Sequence, residues 1–208
     1  MPDFTPDFRE QLALLFHWRR DVRRFRRDPV PPKRVARLLE MAGKAPSVGL
    51  SEPWRFVMVE SETSRALAQA NFQVANAEAL AGYSGDKAKL YAGLKLSGMQ
   101  DAPVQIAVFC DGETEKGSWL GAKTMPEMRP YSCVCAIMQL WLAARADGLG
   151  LGWVSILDPV QLREDLDLPE DWTLIGYLCL GYAVEDHEDP ELDRAGWETR
   201  EPPEILTR

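Results

Sequence analysis

The sequence predicts a layered domain that mixes helices with a small sheet, an α+β or α/β sandwich. Three observations carry this. Four short runs read as strands, at 55–60, 104–110, 153–157 and 172–180. Long stretches with apolar residues at helical spacing separate them. No internal repeat or break in composition divides the 208 residues, so 1–208 reads as one domain with a sizeable core.

Thr5 followed by Pro6 reads as a helix start, cap then first turn, and Phe8, Leu12, Leu15 and Phe16 recur at helical spacing. An arginine-rich stretch, 19–27, follows and is closed by Pro29, Pro31 and Pro32. A second helix carries Val35, Leu38, Leu39 and Ala42 on one face. Residues 45–53 form a Pro, Ser and Gly loop before the first strand. The Ala-rich run 61–80 reads as a helix, 82–86 as a break, and 87–99 as another helix. After the second strand, 111–130 is long, polar and irregular, a pattern that loops with function often show. Residues 132–147 form the strongest helix, with Val134, Ile137, Met138, Trp141 and Leu142 as its buried stripe. A turn at 148–152 leads to the third strand, and Asp158-Pro159 starts a short helix to about Leu166. The last strand ends in Gly181-Tyr182, and an acidic tail occupies 185–208.

Bulk chemistry excludes several classes. A net charge of −8 is unsuited to sequence-independent nucleic-acid binding, which needs a positive field. No apolar run approaches the roughly 20 residues of a membrane span, and the first ten residues lack a signal-peptide pattern. Cys110, Cys133, Cys135 and Cys179 lie in apolar contexts, and with His17 and His187 they make no zinc pattern. Cys133 and Cys135, two apart on a helix, point in different directions. Reduced thiols and the cytoplasm are expected.

The arginine stretch is the most informative segment. Six arginines fall in nine residues, with no lysine, around a single carboxylate, Asp21. One reading is a solvated charged face. The other is a phosphate site, because guanidinium binds phosphate in a bidentate fork that ammonium cannot make. Asp21 among cations should stay ionised, since nearby positive charge favours the carboxylate. It either neutralises its neighbours or serves a ligand as general base.

Gly148, Gly150 and Gly152 form G-x-G-x-G, but after a helix and before a strand, the reverse of a dinucleotide loop. They read instead as a helix cap and two close-packing positions. Ser155 is a lone hydroxyl in an apolar run, either satisfied by backbone or facing a ligand. Trp54, Trp119, Tyr131 and Trp153 are either packing residues or platforms for a planar ligand.

Taken in order, these motifs resemble the nitroreductase-like flavoproteins. The resemblance covers 16–200 and rests on Arg19-Arg20-Asp21-Val22-Arg23, Pro46-Ser47 through Pro53-Trp54, Ala102-Pro103, Gly148-Leu149-Gly150 and Leu180-Gly181-Tyr182. Asp21 stands where ordinary members carry Ser. It joins Leu94-Lys95-Leu96, Gly152-Trp153-Val154-Ser155-Ile156, Asp189-Pro190-Glu191-Leu192, Ala195-Gly196-Trp197 and Arg200 in resembling one branch, the 5,6-dimethylbenzimidazole synthases. Glu52 departs from the Gln usual before Pro-Trp.

The resemblance implies an α+β nitroreductase-like fold, with a central, mostly antiparallel sheet flanked by helices, and a homodimer with FMN at the interface. Arg19, Arg20 and Arg23 would grip the phosphate, helped by Arg194 or Arg200. Val22 and Trp153 would line the cofactor site, and Ser47 and Ser51 would reach the ring from the partner chain. Residues 72–97 would form a lid. In that branch reduced FMN is the substrate and dioxygen the oxidant. The products are 5,6-dimethylbenzimidazole, the lower ligand of cobalamin, and erythrose 4-phosphate. Asp21 would be the base near the ribityl chain and Ser155 would bond the ring. A separate reductase would supply reduced FMN. The rival is an NAD(P)H-dependent oxidoreductase of the same fold that recycles its flavin. A second rival is a non-catalytic binder of flavin or phosphate. Neither needs Asp21 as a base.

Overall fold

The computed structural model describes residues 3–94 and 97–208. Its sheet has four strands, β1 (Trp54–Met58), β2 (Val104–Asp111), β3 (Gly150–Val154) and β4 (Trp172–Gly181). Their order is β1-β2-β4-β3 and each neighbouring pair is antiparallel. The predicted α+β class holds.

Alternation along β2 sorts the core into two layers, because successive strand side chains point to opposite faces. Ile106 and Val108 join Leu178, Leu180, Leu38, Ile137 and Leu140 on one face. Ala107 and Phe109 join Tyr177, Cys179, Ala68 and Leu162 on the other. The first face is covered by α2 (Pro32–Ala42) and α6 (Met128–Ala146), the second by α3 (Glu62–Ala81) and α7 (Pro159–Asp165). Covering both faces explains why β2 is almost continuously apolar rather than alternating.

The remaining helices are α1 (Pro6–Trp18), α4 (Gly85–Gly93), α5 (Gly98–Asp101) and α8 (Glu191–Arg194). Thr5 caps α1 by accepting the Phe8 amide, as its sequence predicts. The single helix predicted over 87–99 is instead α4 and α5, with Gly93 ending the first and Gly98 opening the second. Gly98 has a packing reason: a β-carbon there would sit 3.3 Å from both Cys179 and Phe25. Lys95 and Leu96, in one of the family motifs and in the expected lid, lie outside the described residues.

The start of α6 moves. The long loop ends earlier than predicted, because α6 begins at Met128 with Pro130 in its first turn, where proline is tolerated. The buried stripe of α6 also differs: Ile137 and Trp141 are inside and Leu142 is half-buried, and the other buried apolar residues are Cys133, Ala136, Leu140, Ala143 and Ala144. Val134 and Met138 are exposed, in line with Tyr131 one turn earlier. Cys133 is buried and Cys135 exposed, the divergence their spacing predicts, and all four cysteines are free thiols.

Two further features place the site. The turn Val48–Leu50 is held from α6, where the Ser132 hydroxyl accepts the Val48 amide at 3.0 Å and donates to the Met128 carbonyl at 2.6 Å. Lys116 from the long loop pairs with Glu52 beside it, so the residue that departs from the family pattern has an ionic partner. The arginine stretch leaves α1 as extended chain and lies along the free edge of β3, where the Val22 amide donates to the Leu151 carbonyl at 3.1 Å. It then reaches the end of β4, where the Arg26 amide donates to the Tyr182 carbonyl at 2.8 Å.

Candidate functional site

The glycine string and the arginine stretch are two sides of one contact. Gly148 closes α6 at φ 73°, and Gly148 and Leu149 donate back to Arg145 and Ala144, a Schellman cap. Gly150 and Gly152 belong to β3 rather than to the predicted turn. A β-carbon on Gly150 would fall 2.7 Å from Val22 Cγ2, and one on Gly152 would strike the Val22 carbonyl oxygen. Bare backbone at both positions lets the 21–23 segment press against the strand. The predicted strand 153–157 therefore starts and ends early, and Ser155 lies just past β3, exposed rather than buried.

That contact fixes Asp21. Its Oδ1 accepts the Trp153 amide at 2.9 Å, and its Oδ2 lies 3.6 Å from Arg23 Nε. The preceding Arg20 carbonyl accepts Trp141 Nε1 at 3.0 Å, and the Arg19 guanidinium stands 5.0 Å from the Trp141 ring centre. Trp141, read from the sequence as core alone, is thus also a wall of the site. Burial pushes the Asp21 carboxyl above the usual carboxylate range, and the Trp153 amide and Arg23 offset this only in part. The expectation that its cationic neighbours govern its ionisation is corrected: loss of water has the larger effect.

The six arginines divide. Arg24 is held by Glu185 and Glu191, Arg26 by Asp28, and Arg27 by Asp101. Those three are structural or solvated. Arg19, Arg20 and Arg23 line a cavity of about 170 Å³ together with Arg194 and Arg200 of the tail, and Arg24 borders it with its partners Glu185 and Glu191. Arg194 is engaged by Asp189 at 2.7 Å, and Arg145 at the rim by Asp186 at 2.6 Å. Arg200 stands close enough that its charge, after burial, lowers the basicity of both Arg19 and Arg20. Arg20 Nε and Arg23 Nε and Nη1 are buried with no hydrogen-bond partner. Arg20 Nη1 is taken by the Arg19 carbonyl at 2.6 Å and Arg23 faces Asp21, yet buried donors left without a hydrogen bond, beside the mutually repelling Arg19, Arg20 and Arg200, are costly unless an anion completes them. The residues fit a phosphate group.

Asp21, Val22 and Arg23 also border a second, smaller cleft, whose other walls include Phe72, Gly98 and Trp153. The carboxyl therefore lies between a phosphate-sized cavity and an apolar recess. Ser155 follows the strand end that lines this recess. Cys179, also at its wall, has its thiol pushed up to about 12 by burial, so it is a neutral wall rather than a nucleophile.

Ser47 and Ser51 line neither recess. Ser47 accepts the Glu52 amide at 3.1 Å, and Ser51 is buried with its hydroxyl unpaired. Among the proposed stacking residues, Trp54 is core, Trp153 lies against Trp141, and Trp119 carries the Arg129 guanidinium 3.7 Å over its ring. Tyr131 projects from α6, 53% exposed, and Leu50, Leu120, Val134 and Met138 are exposed too; Leu120 lies beside Gly49, and the Val48–Leu50 turn is tied to α6 through Ser132.

The chain is similar to known proteins over nearly its whole length. The family model described as Nitroreductase matches residues 17–182. A protein named 5,6-dimethylbenzimidazole synthase from Rhodospirillum rubrum is 51% identical over 207 residues, covering 100% of this chain and 98% of its own. One of the same name from Rhodobacter capsulatus is 43% identical, covering 97% and 98%. Among solved structures, oxidized iodotyrosine deiodinase bound to FMN and 3-iodo-L-tyrosine superimposes with a TM-score of 0.73 at 21% identity, over 95% of this chain and 97% of its own. No helix among the described residues is long and apolar enough to cross a membrane.

Proposed function

The chain belongs to the nitroreductase family, and on that premise we propose that it is a cytoplasmic 5,6-dimethylbenzimidazole synthase: it fragments reduced FMN with dioxygen, releasing erythrose 4-phosphate. The observation that carries the reading is Asp21, a carboxyl with raised pKa fixed between an arginine-lined cavity and an apolar recess. An enzyme that merely recycles flavin has no use for a base at the sugar-phosphate end of its cofactor.

Arg19, Arg20 and Arg23 hold the phosphate, and Arg200 completes the set, since Arg194 is engaged by Asp189. Asp21 takes a proton from the ribityl chain, and a raised pKa suits a base that must both accept and release a proton. Val22 and Trp153 form the wall between grip and ring, and Ser155 offers its hydroxyl to the ring. FMN, once bound and reduced, supplies the electrons for oxygen chemistry. A separate flavin reductase provides it in that form. The exposed apolar residues Leu50, Leu120, Tyr131, Val134 and Met138 belong to the face on which a second copy docks, and Ser47 and Ser51 serve the ring from that copy.

Incubation with chemically reduced FMN in air yields 5,6-dimethylbenzimidazole by mass spectrometry. Recovery of reoxidised FMN alone would overturn the reading. The arginine assignments have their own test in FMN fluorescence titration. Arg20→Met weakens FMN about 30-fold or more, the consequence of removing a buried charged donor worth ~2 kcal/mol or more. Arg27→Met stays within about threefold, because its pair with Asp101 is a surface one. Equal losses in the two variants would show that the stretch acts only as a diffuse charge.

A further inference from the structure

The tail motif Ala195-Gly196-Trp197 plays no part in the phosphate grip, yet its geometry is specific. Gly196 ends α8 at φ 69°, donating to the Asp193 carbonyl, while the Trp197 amide donates to the Leu192 carbonyl at 2.9 Å. This is a Schellman cap, and it sets the direction in which the chain leaves α8. Upstream the tail is fastened by Glu185 and Glu191 to Arg24. Three residues downstream it carries Arg200 into the arginine cavity.

Trp197 itself touches a different part of the molecule. Its ring meets Tyr83 edge-on at 5.4 Å and Tyr91 at 6.2 Å, and Tyr83 stacks on Tyr91 at 5.1 Å. Lys87 Nζ lies 3.9 Å over the Trp197 ring and also donates to the Trp197 carbonyl at 3.0 Å. These contacts hold α4, an element with no buried residue of its own. Its chain neighbours matter: α3 before it supplies Phe72 to the apolar recess, and α5 after it supplies Gly98 and Met99.

We infer that Trp197 is a positioning residue that couples phosphate recognition by Arg19, Arg20 and Arg200 to the anchoring of α4, and so to the walls of the recess. The coupling rests on the FMN reading above. A phosphate draws Arg200 against Arg19 and Arg20, the tail is held at both ends, and Trp197 is thereby pinned against Tyr83, Tyr91 and Lys87. A flavin without phosphate leaves the tail, and with it α4, loosely held.

Hydrogen–deuterium exchange of the full chain, saturated with FMN or with riboflavin, tests this. In the unaltered protein FMN slows exchange of the 85–93 amides about tenfold more than riboflavin does, a difference equivalent to ~1.4 kcal/mol of local stability. Trp197→Ala still binds FMN, but the two flavins then protect 85–93 within about twofold of each other. Trp197→Phe restores the difference in part, and Arg200→Ala abolishes it from the phosphate end. A full FMN-specific protection in Trp197→Ala overturns the coupling while leaving the phosphate site intact. Equal binding and equal protection by FMN and riboflavin in the unaltered protein overturn the phosphate reading itself.

Discussion

Asp21→Asn makes no detectable product from reduced FMN yet binds FMN. Asn keeps the size of Asp and an Oδ1 acceptor, so the bond from the Trp153 amide survives and the 21–23 segment stays seated on β3. What is lost is a group that can take a proton, and general-base catalysis is worth roughly 10²–10⁴-fold. Product yield by mass spectrometry, set beside FMN titration, separates the two effects. Unchanged yield would remove Asp21 from the chemistry.

The raised pKa gives this variant two further signatures. A general base works ionised, so activity is expected to fall as pH drops through the folded pKa of Asp21, which burial raises above its ordinary value. Stability runs the other way. A carboxyl whose folded pKa exceeds its unfolded value favours the fold most while protonated, and that contribution is lost as pH rises through the folded pKa. At neutral pH the ligand-free Asn variant therefore melts higher than the unaltered protein, and the gap closes at acid pH below both pKa values. A lower melting temperature at neutral pH would mean that the arginines, not burial, dominate the carboxyl.

What the sequence revealed here depended on how local the determining interaction was. The strand cores of β2 and β4 and the cap at Thr5 follow from neighbours within a few residues. So does the Schellman glycine at 148. The arginine stretch was legible as chemistry but not as a division of labour. Only the fold shows that Asp28, Asp101, Glu185 and Glu191 claim three of the six cations, while Arg19, Arg20 and Arg23 line the cavity. The stripe of α6 failed at Val134 and Met138 because apolar periodicity cannot tell a face packed into the core from one left exposed. The ionisation of Asp21 failed for a related reason. Flanking charges are visible in sequence, whereas desolvation depends on β3, whose Trp153 lies 132 residues further along the chain.

Gly152→Ala tests that distant contact directly. The added methyl meets the Val22 carbonyl oxygen, which is backbone and cannot rotate aside. Relief requires the 21–23 segment to lift from β3, breaking the bonds from Val22 to Leu151 and from Trp153 to Asp21. Overpacking of this kind costs about 1–3 kcal/mol and occasionally more. In a chain of this size ~3 kcal/mol lowers the melting temperature by about 6–12 °C. The same movement carries Arg20, Asp21 and Arg23 out of register, so FMN affinity falls with it. Gly148→Ala is the control. Its β-carbon has nothing within 4 Å but must adopt φ 73°, a strain of about 1–2 kcal/mol confined to the helix end. That variant loses some stability and keeps FMN affinity. If both glycines instead lost FMN equally at small cost in stability, the string would be a phosphate loop in its own right. The arginine segment would then have been credited with a role that belongs to backbone amides.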